Sequence, residues 1–277
     1  MKRGVTRGVL AVSVLAALSA CADTRLTQTA APTVAIGQPQ PGDAQYVVPL
    51  QGARNVRTVA GLRDRSGPGP KSRFLRAADL NHLTSADRDA LSVRGVKFVL
   101  DLRTAEEAAG APDPLAKDDR FRYLRISLLG SESLDLAHLP DSLGDLYVQS
   151  LQANGPQYRA VFEALAREAD GTALFHCTAG KDRTGMVAAM LQSLAGVPRR
   201  QIVHDYSLSA QYLGDALQGP QMEQMLRLNP KIAALMGSPP EAIEAFLDVL
   251  DHRYGGAHAY LKSIGIADVE LKRLGSR

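Results

Sequence analysis

Two residues in the second half of the chain have the types and the spacing to process a phosphate ester. Cys177 supplies a thiol, and Arg183 follows it after five intervening residues. A thiolate is a strong nucleophile, and a guanidinium holds two oxygens of a tetrahedral dianion with its planar fork. The intervening residues are enough for a loop to curl around such a dianion and bring the arginine back to it. The spacing therefore predicts Cys177 as a nucleophile and Arg183 as a phosphate clamp.

The predicted elements on either side of this loop place it where an anion is favoured. Thr172–His176 is predicted to be a short strand, and residues 186–194 form an apolar helical pattern. A loop that leads from a strand into a helix N-terminus points consecutive backbone N–H groups at one spot, where the helix dipole adds positive potential. The same potential favours the thiolate form of Cys177. Gly180 permits the close backbone approach that such a loop requires.

The run from His176 to Gly185, His-Cys-Thr-Ala-Gly-Lys-Asp-Arg-Thr-Gly, resembles the signature loop of the protein tyrosine phosphatase superfamily. Its Cys-x-Ala-Gly-Lys-Asp-Arg-Thr-Gly form is similar to the loop of a bacterial subgroup of tyrosine, dual-specificity and phosphoinositide phosphatases. The similarity extends over most of residues 52–277. It includes Asp101 with the Leu-Arg pair after it, and an Asp-Tyr-x-Leu-Ser segment that starts at Asp205. The resemblance implies hydrolysis through a phosphocysteine intermediate, with no metal or other cofactor.

The resemblance also implies roles for the residues of the loop. The backbone amides and Arg183 would stabilise the equatorial oxygens of the phosphate, and Thr184 would hydrogen-bond the thiolate and help it leave. Lys181 would attract a second phosphate, unless it is only a solvated surface charge. The segment 55–61 departs from the subgroup's Asn-Phe-Arg-Asp-x-Gly-Gly pattern and is given no catalytic role. The loop residues expected to bind substrate are Thr178, Ala179, Gly180 and Lys181. The residues expected to support the site are His176, Arg103 and Glu106.

Three aspartates compete for the role of the general acid that protonates the leaving oxygen. Many members of the superfamily use an aspartate on a separate loop after a Trp-Pro pair, but this chain contains no tryptophan. Asp182, inside the signature loop, is the acid that the subgroup resemblance implies. Asp101 is the second candidate, because it ends a predicted strand where active-site residues gather. Asp113, which lies between two prolines, is the third.

Strand-like and helix-like patterns alternate along the chain, which favours an α/β fold with a cysteine-phosphatase-like central sheet flanked by helices. Residues 97–102 and 121–128 are further strand candidates, and residues 84–94 are predicted to form a helix. Beyond Gln201 the pattern predicts a largely helical C-terminal third. Residues 211–252 carry apolar stripes interrupted by prolines. These residues are expected either to cover the active site as a lid or to enlarge the core.

The N-terminus has the pattern of an export signal. Basic residues precede a short apolar run over residues 9–18, which is too short to span a bilayer, and the sequence Leu-Ser-Ala-Cys ends at Cys21. This tetrapeptide resembles the bacterial lipobox, in which the cysteine is diacylated, whereas the alternative is simple cleavage after Ala22. The location expected is the periplasmic face of the outer membrane, or secretion. The predicted segments are a signal peptide over residues 1–21, a flexible tether over 22–48 and a phosphatase domain over 49–277.

The remaining properties of the sequence limit the classes of function. With 277 residues and a net charge of +3, the chain can bury one sizeable core, but its charge is too scattered to favour nucleic acid. The expected partners are a phosphorylated protein or a phosphoinositide, and the membrane through the N-terminal lipid. The alternatives left open are an inositol-polyphosphate phosphatase and a catalytically dead phosphate-binding module. A thiol oxidoreductase is disfavoured because no resolving cysteine accompanies Cys177.

Overall fold

The structure, a computed structural model, describes residues 40–62, 72–129, 140–168, 171–214, 224, 227 and 235–275. All of these residues lie in the unit Ala31–Arg277, one of two into which the chain divides. The signal peptide predicted over 1–21 lies outside these residues. The tether over 22–48, the phosphatase domain over 49–277 and the lid over 211–252 lie partly outside them.

Five strands of the described residues form one sheet in the order β1-β2-β5-β3-β4. The strands are β1 (Arg57–Thr58), β2 (Phe74–Ala77), β3 (Val96–Asp101), β4 (Arg122–Arg125) and β5 (Thr172–His176). The short β1 pairs antiparallel with β2, and the other neighbours are parallel. Parallel strands bring their carboxyl ends to the same edge, where α/β proteins bind ligands. That edge places Asp101 of β3 beside His176 of β5, directly before Cys177.

Both faces of the sheet are covered by apolar side chains. In the central strand β5, Ala173 and Phe175 face one apolar cluster, and Leu174 faces a second one. Burial on both faces is typical of a parallel sheet with helices on either side. The α/β architecture predicted from the sequence is therefore confirmed. The helices described are α1 (Ser85–Val93), α2 (Ala105–Gly110), α3 (Leu143–Ala153), α4 (Gly155–Arg167), α5 (Arg183–Leu194), α6 (Arg199–Leu213), α7 (Pro240–Tyr254), α8 (Ala257–Ser263) and α9 (Asp268–Gly275).

Two element boundaries differ from the predicted ones in ways that matter for the site. Helix α5 starts at Arg183 and not at residue 186, because the apolar periodicity used to predict it does not register the polar residues of its first turn. Strand β4 covers only Arg122–Arg125 of the predicted 121–128. The earlier start of α5 places Arg183 and Thr184 in the first turn of the helix, next to the loop.

Helix α7 overlaps the segment 211–252, which is expected either to cover the active site as a lid or to enlarge the core. It packs against α3 and α6, and its apolar face is buried in the main core through Ile243, Phe246 and Leu250. Residues 240–254 therefore contribute to the core through this face of the helix. In the part of the chain that the structure describes, every helix is too short or too polar to cross a bilayer.

Candidate active site

The nucleophile predicted from the sequence lies at the start of the loop between β5 and α5, residues 177–182. Cys177 is a free cysteine and is only 1% exposed. The next element, α5, begins directly after the loop, so its N-terminal N–H groups point towards this region. Asp182 occupies the N-cap position, but its side chain makes no capping hydrogen bond. The first turn of α5 therefore keeps donors that can bind an anion.

The loop passes so close to β2 that one of its positions accepts only glycine. Gly180 has φ of +65°, and a Cβ built on it would lie 2.2 Å from the carbonyl oxygen of Ala77. Any other residue would clash with the backbone of β2 and adopt a strained left-handed conformation. This close approach fixes the curvature of the loop against the edge of the sheet.

Arg183 is held in place by a bidentate ion pair with Glu107 of α2. Its Nη1 and Nη2 atoms lie 2.6 and 2.7 Å from the two carboxylate oxygens of Glu107. Burial alone would raise the pKa of Glu107, but the hydrogen bonds and charge of Arg183 outweigh it and lower that pKa to about 2. The pair therefore stabilises the fold above the ordinary pKa of a glutamate, and this contribution is lost as the pH falls through about 2.

The support expected from Glu106 is in fact provided by its neighbour. Glu106 is exposed on α2, whereas Glu107 faces the loop. The reason is a capping box, in which Glu107 at the third helical position turns back towards the N-cap residue Thr104. Glu107 also accepts a hydrogen bond of 2.7 Å from the hydroxyl of Thr178. The Thr-x-x-Glu spacing in the sequence is the signal that could have identified the correct residue.

Asp182 is the best placed of the three candidate acids. Its side chain is 30% exposed and lies inside the loop. Oδ1 accepts hydrogen bonds from the hydroxyl of Tyr147 and, at 2.7 Å, from Nζ of Lys181. Lys181 is buried and also donates to the carbonyl oxygen of Leu235, so it is not a solvated surface charge.

Asp101 is poorly suited to act as an acid. It is fully buried and forms a bidentate ion pair with Arg103, and Tyr123 donates to it at 2.6 Å. Burial would raise the pKa of Asp101, but the hydrogen bonds from Arg103 and the electrostatic interaction with His176 lower it below its ordinary value. An aspartate held in this way stays ionised, and the geometry is that of a structural ion pair. Arg103 orients it at the end of β3.

His176 and Asp113 lie beneath the loop. The His176 Nε2 atom is 3.2 Å from Oδ2 of Asp113 and 3.8 Å from Oδ1 of Asp101. The contact with Asp113 lacks hydrogen-bond alignment, since neither of the two atoms has a hydrogen-bond partner among the described residues. Asp113 is buried and also caps the 3-10 turn Pro114–Lys117. It is therefore less accessible than Asp182 to a leaving oxygen.

Thr184 has an unused donor at the start of α5. The residue is fully buried, and its hydroxyl has no hydrogen-bond partner among the described residues. A buried hydroxyl without a partner is costly, and an anion in the loop would supply one. Across the described part of the chain, no group of three or more His, Cys, Asp or Glu side chains is arranged to hold a metal ion.

The sequence profile of the tyrosine phosphatase family matches residues 48–277. The chain belongs to the tyrosine phosphatase family. A tyrosine-protein phosphatase of Nostoc commune is 44% identical over 263 residues, which cover 90% of this chain and 86% of the relative. The triple specificity protein phosphatase PtpB of Mycobacterium tuberculosis is 28% identical over 275 residues, which cover 81% of this chain and 96% of the relative. The chain is thus a phosphatase of the tyrosine phosphatase type.

Among solved structures, that of Pseudomonas aeruginosa TpbA in complex with pTyr aligns with 77% of this phosphatase and 94% of its own chain. The sequences are 16% identical, and the TM-score is 0.32.

Behind the loop of the phosphatase lies a buried group that sequence reasoning missed. Asn55 donates from Nδ2 to the carbonyl oxygens of Ala179 and Gly180 at 3.0 and 3.1 Å. Arg76 donates to the same oxygen of Gly180 at 2.9 Å. Because the N–H of a trans peptide unit points opposite to its C=O, the N–H groups of Gly180 and Lys181 point away from these donors. The segment 55–61, for which no catalytic role is predicted, therefore supports the loop through Asn55.

The buried charges of this group do not cancel, because two arginines face one aspartate. Asp205 of α6 pairs with Arg57 at 3.0 Å and with Arg76 at 2.8 Å, and all three side chains are buried. Burial, followed by the charge of Arg57, lowers the pKa of Arg76 to about 10, so Arg76 remains cationic at neutral pH. Two guanidinium groups facing one carboxylate leave a positive charge beneath the loop. This charge favours an anion in the site.

Proposed function

We propose that the phosphatase hydrolyses phosphomonoesters through a phosphocysteine intermediate on Cys177. The observation that carries this proposal is the combination of a buried free thiol with a loop whose carbonyl groups are bound by buried side chains on the side of the sheet. The carbonyls of Ala179 and Gly180 are bound by Asn55 and Arg76, and Arg183 starts the following helix. This arrangement offers a nucleophile and N–H donors within one short loop.

The proposed reaction has two steps. The thiolate of Cys177 attacks phosphorus, the bond from phosphorus to the leaving oxygen breaks, and Asp182 protonates that oxygen. Water then attacks the phosphocysteine while the Asp182 carboxylate accepts a proton, and phosphate leaves with the thiolate regenerated. Loop amides and Arg183 stabilise the equatorial oxygens throughout. The hydroxyl of Thr184 stabilises the departing sulfur.

The proposed substrates are phosphotyrosine proteins, with phosphoserine or phosphothreonine proteins and phosphoinositides as further substrates. The support comes from the names of the relatives, one a tyrosine-protein phosphatase and the other a triple specificity protein phosphatase. We expect purified protein to hydrolyse a phosphotyrosine peptide fastest in a panel that also contains a phosphoserine peptide, a phosphoinositide and an inositol polyphosphate. The measurement is released phosphate, with Cys177→Ser protein as the blank. Hydrolysis restricted to the inositol polyphosphate, or of none of them, would contradict the proposal.

We also propose that the chain is exported and diacylated at Cys21. The support is the lipobox-like sequence that ends at this residue. Expressed in a bacterial host, the mature protein is expected to begin with a diacylglyceryl cysteine and to fractionate with membranes. Mass spectrometry of the N-terminal peptide measures this, and Cys21→Ser is the matched control that should be found outside the membrane fraction. A mature chain that begins unmodified at Asp23 would instead indicate simple secretion.

A further inference from the structure

The side chain of Asp182 is held in an unusual way for an aspartate at a helix N-cap. Such a residue ordinarily turns inward and accepts hydrogen bonds from the N–H groups of the first turn. Asp182 makes no such bond. Its Oδ1 instead accepts from two side chains, the hydroxyl of Tyr147 in α3 and Nζ of Lys181. The carboxyl group is thereby kept off the N–H groups of α5.

The hydroxyl of Tyr147 belongs to a short buried chain. The hydroxyl of Tyr206 in α6 lies 2.8 Å from it, and the two rings meet edge to face with centroids 6.0 Å apart. Because the single proton of Tyr147 is donated to Asp182, Tyr206 must donate to Tyr147. Burial, followed by the charge of Asp182, raises the pKa of both phenols well above the ordinary value. Both hydroxyls therefore remain donors at any working pH.

The two oxygens of Asp182 consequently have different surroundings. Oδ1 accepts two hydrogen bonds, whereas Oδ2 accepts none from the residues that the structure describes. An oxygen that already accepts two donors is a poor place for a proton, since the proton would face both of them. A proton on this carboxyl group is therefore carried by Oδ2.

We propose that Tyr147 and Tyr206 are positioning residues that select the proton-carrying oxygen of Asp182. With Oδ1 fixed by Tyr147, Oδ2 donates its proton to the leaving oxygen when the ester bond breaks. It then takes a proton from the water that attacks the phosphocysteine. The same hydrogen bond keeps the carboxylate away from the α5 amides that bind the phosphate. This inference rests on the proposed function and names the residues that make its acid effective.

The test compares two aryl phosphates that differ in how much their leaving groups need a proton. 4-Nitrophenolate leaves readily without a proton, whereas phenolate does not. The ratio of kcat/KM for 4-nitrophenyl phosphate to kcat/KM for phenyl phosphate therefore reports the general acid. In Tyr147→Phe this ratio is expected to rise by about tenfold or more, because a positioned acid contributes on the order of a hundredfold or more to a poor leaving group. Tyr206→Phe should shift the ratio in the same direction by a smaller factor.

The matched control is Tyr158→Phe. Tyr158 is another buried tyrosine, and its hydroxyl contacts Ser150 and Met186 and not Asp182. Its substitution should leave the ratio unchanged. Asp182→Asn should raise the ratio at least as much as Tyr147→Phe does, and adding Tyr147→Phe to it should then have no further effect.

Three results would overturn the inference. They are an unchanged ratio in Tyr147→Phe, an equal change in Tyr158→Phe, and an unchanged ratio in Asp182→Asn. If Tyr147→Phe fails to fold, as judged by thermal unfolding, the ratio is measured in Tyr206→Phe instead, and an unchanged ratio there overturns the inference. None of these results bears on the covalent chemistry, which fails separately if Cys177→Ser remains active.

Discussion

Replacing Cys177 with serine is expected to lower turnover of a phosphotyrosine peptide by about four decades or more. The serine hydroxyl is not ionised at neutral pH and is a far weaker nucleophile than a thiolate. The phosphate cradle should persist, because Asn55 and Arg76 hold the loop through the carbonyls of Ala179 and Gly180. The measurement is initial-rate kinetics, together with binding of inorganic phosphate by titration calorimetry.

Two outcomes of that experiment would count against the account. Hydrolysis by Cys177→Ser above a blank without protein would mean that Cys177 is not the nucleophile. Loss of both turnover and phosphate binding, with the thermal unfolding temperature unchanged, would mean that the thiol itself is part of the phosphate cradle.

Replacing Arg183 with lysine is expected to lower kcat/KM by about two to three decades. Lysine keeps the charge but loses the planar fork that pairs with Glu107 through two nitrogen atoms. The matched control is Arg199→Lys, which alters an exposed arginine that pairs with Asp248. It should keep kcat/KM within about threefold, since exposed ion pairs contribute little. A similarly small change in Arg183→Lys, with the fold intact by circular dichroism, would show that Arg183 does not clamp the phosphate.

Much of the site could be predicted from the sequence because its central part is local. A five-residue strand, a loop with Gly180 and an apolar helix follow one another directly, so the order of residue types is enough to indicate a loop that binds anions. The structure adds a physical reason for the glycine, which is the contact with Ala77. Local patterns of this kind need no knowledge of the tertiary fold.

The residues that support the loop are not local, and no sequence pattern indicates that they are partners. Asp205 lies 148 residues from Arg57 and 129 residues from Arg76, yet it pairs with both. Such contacts depend on how α6 packs against the sheet. Tyr147 is similar, because one tyrosine on a helix is more often a core residue than a partner of an acid. Its contact with Asp182 becomes visible only when α3 has been placed.

Short helices are a second reason why the site could be predicted only in part from the sequence. The choice between Glu106 and Glu107 depends on the rotation of α2, which is only six residues long, and an error of one position exchanges an exposed side chain for the partner of Arg183. The role of α7 is hard to predict from the sequence for a related reason. An apolar stripe predicts that one face is buried, but it does not say whether that face covers a site or fills the core. Here Phe246 and its neighbours fill the core.

The most direct test of the central claim is to look for phosphate on Cys177 during turnover. Protein mixed with excess phosphotyrosine peptide is quenched in acid, digested and analysed by mass spectrometry, with Cys177→Ser treated in parallel. The account predicts one phosphoryl group on the peptide that contains Cys177 and none in Cys177→Ser. With 4-nitrophenyl phosphate, whose leaving group needs no acid, it predicts more labelling in Asp182→Asn, because that variant lacks the base for the second step. Phosphate on another residue would contradict the account, as would an unlabelled Cys177 in both wild-type protein and Asp182→Asn while product accumulates.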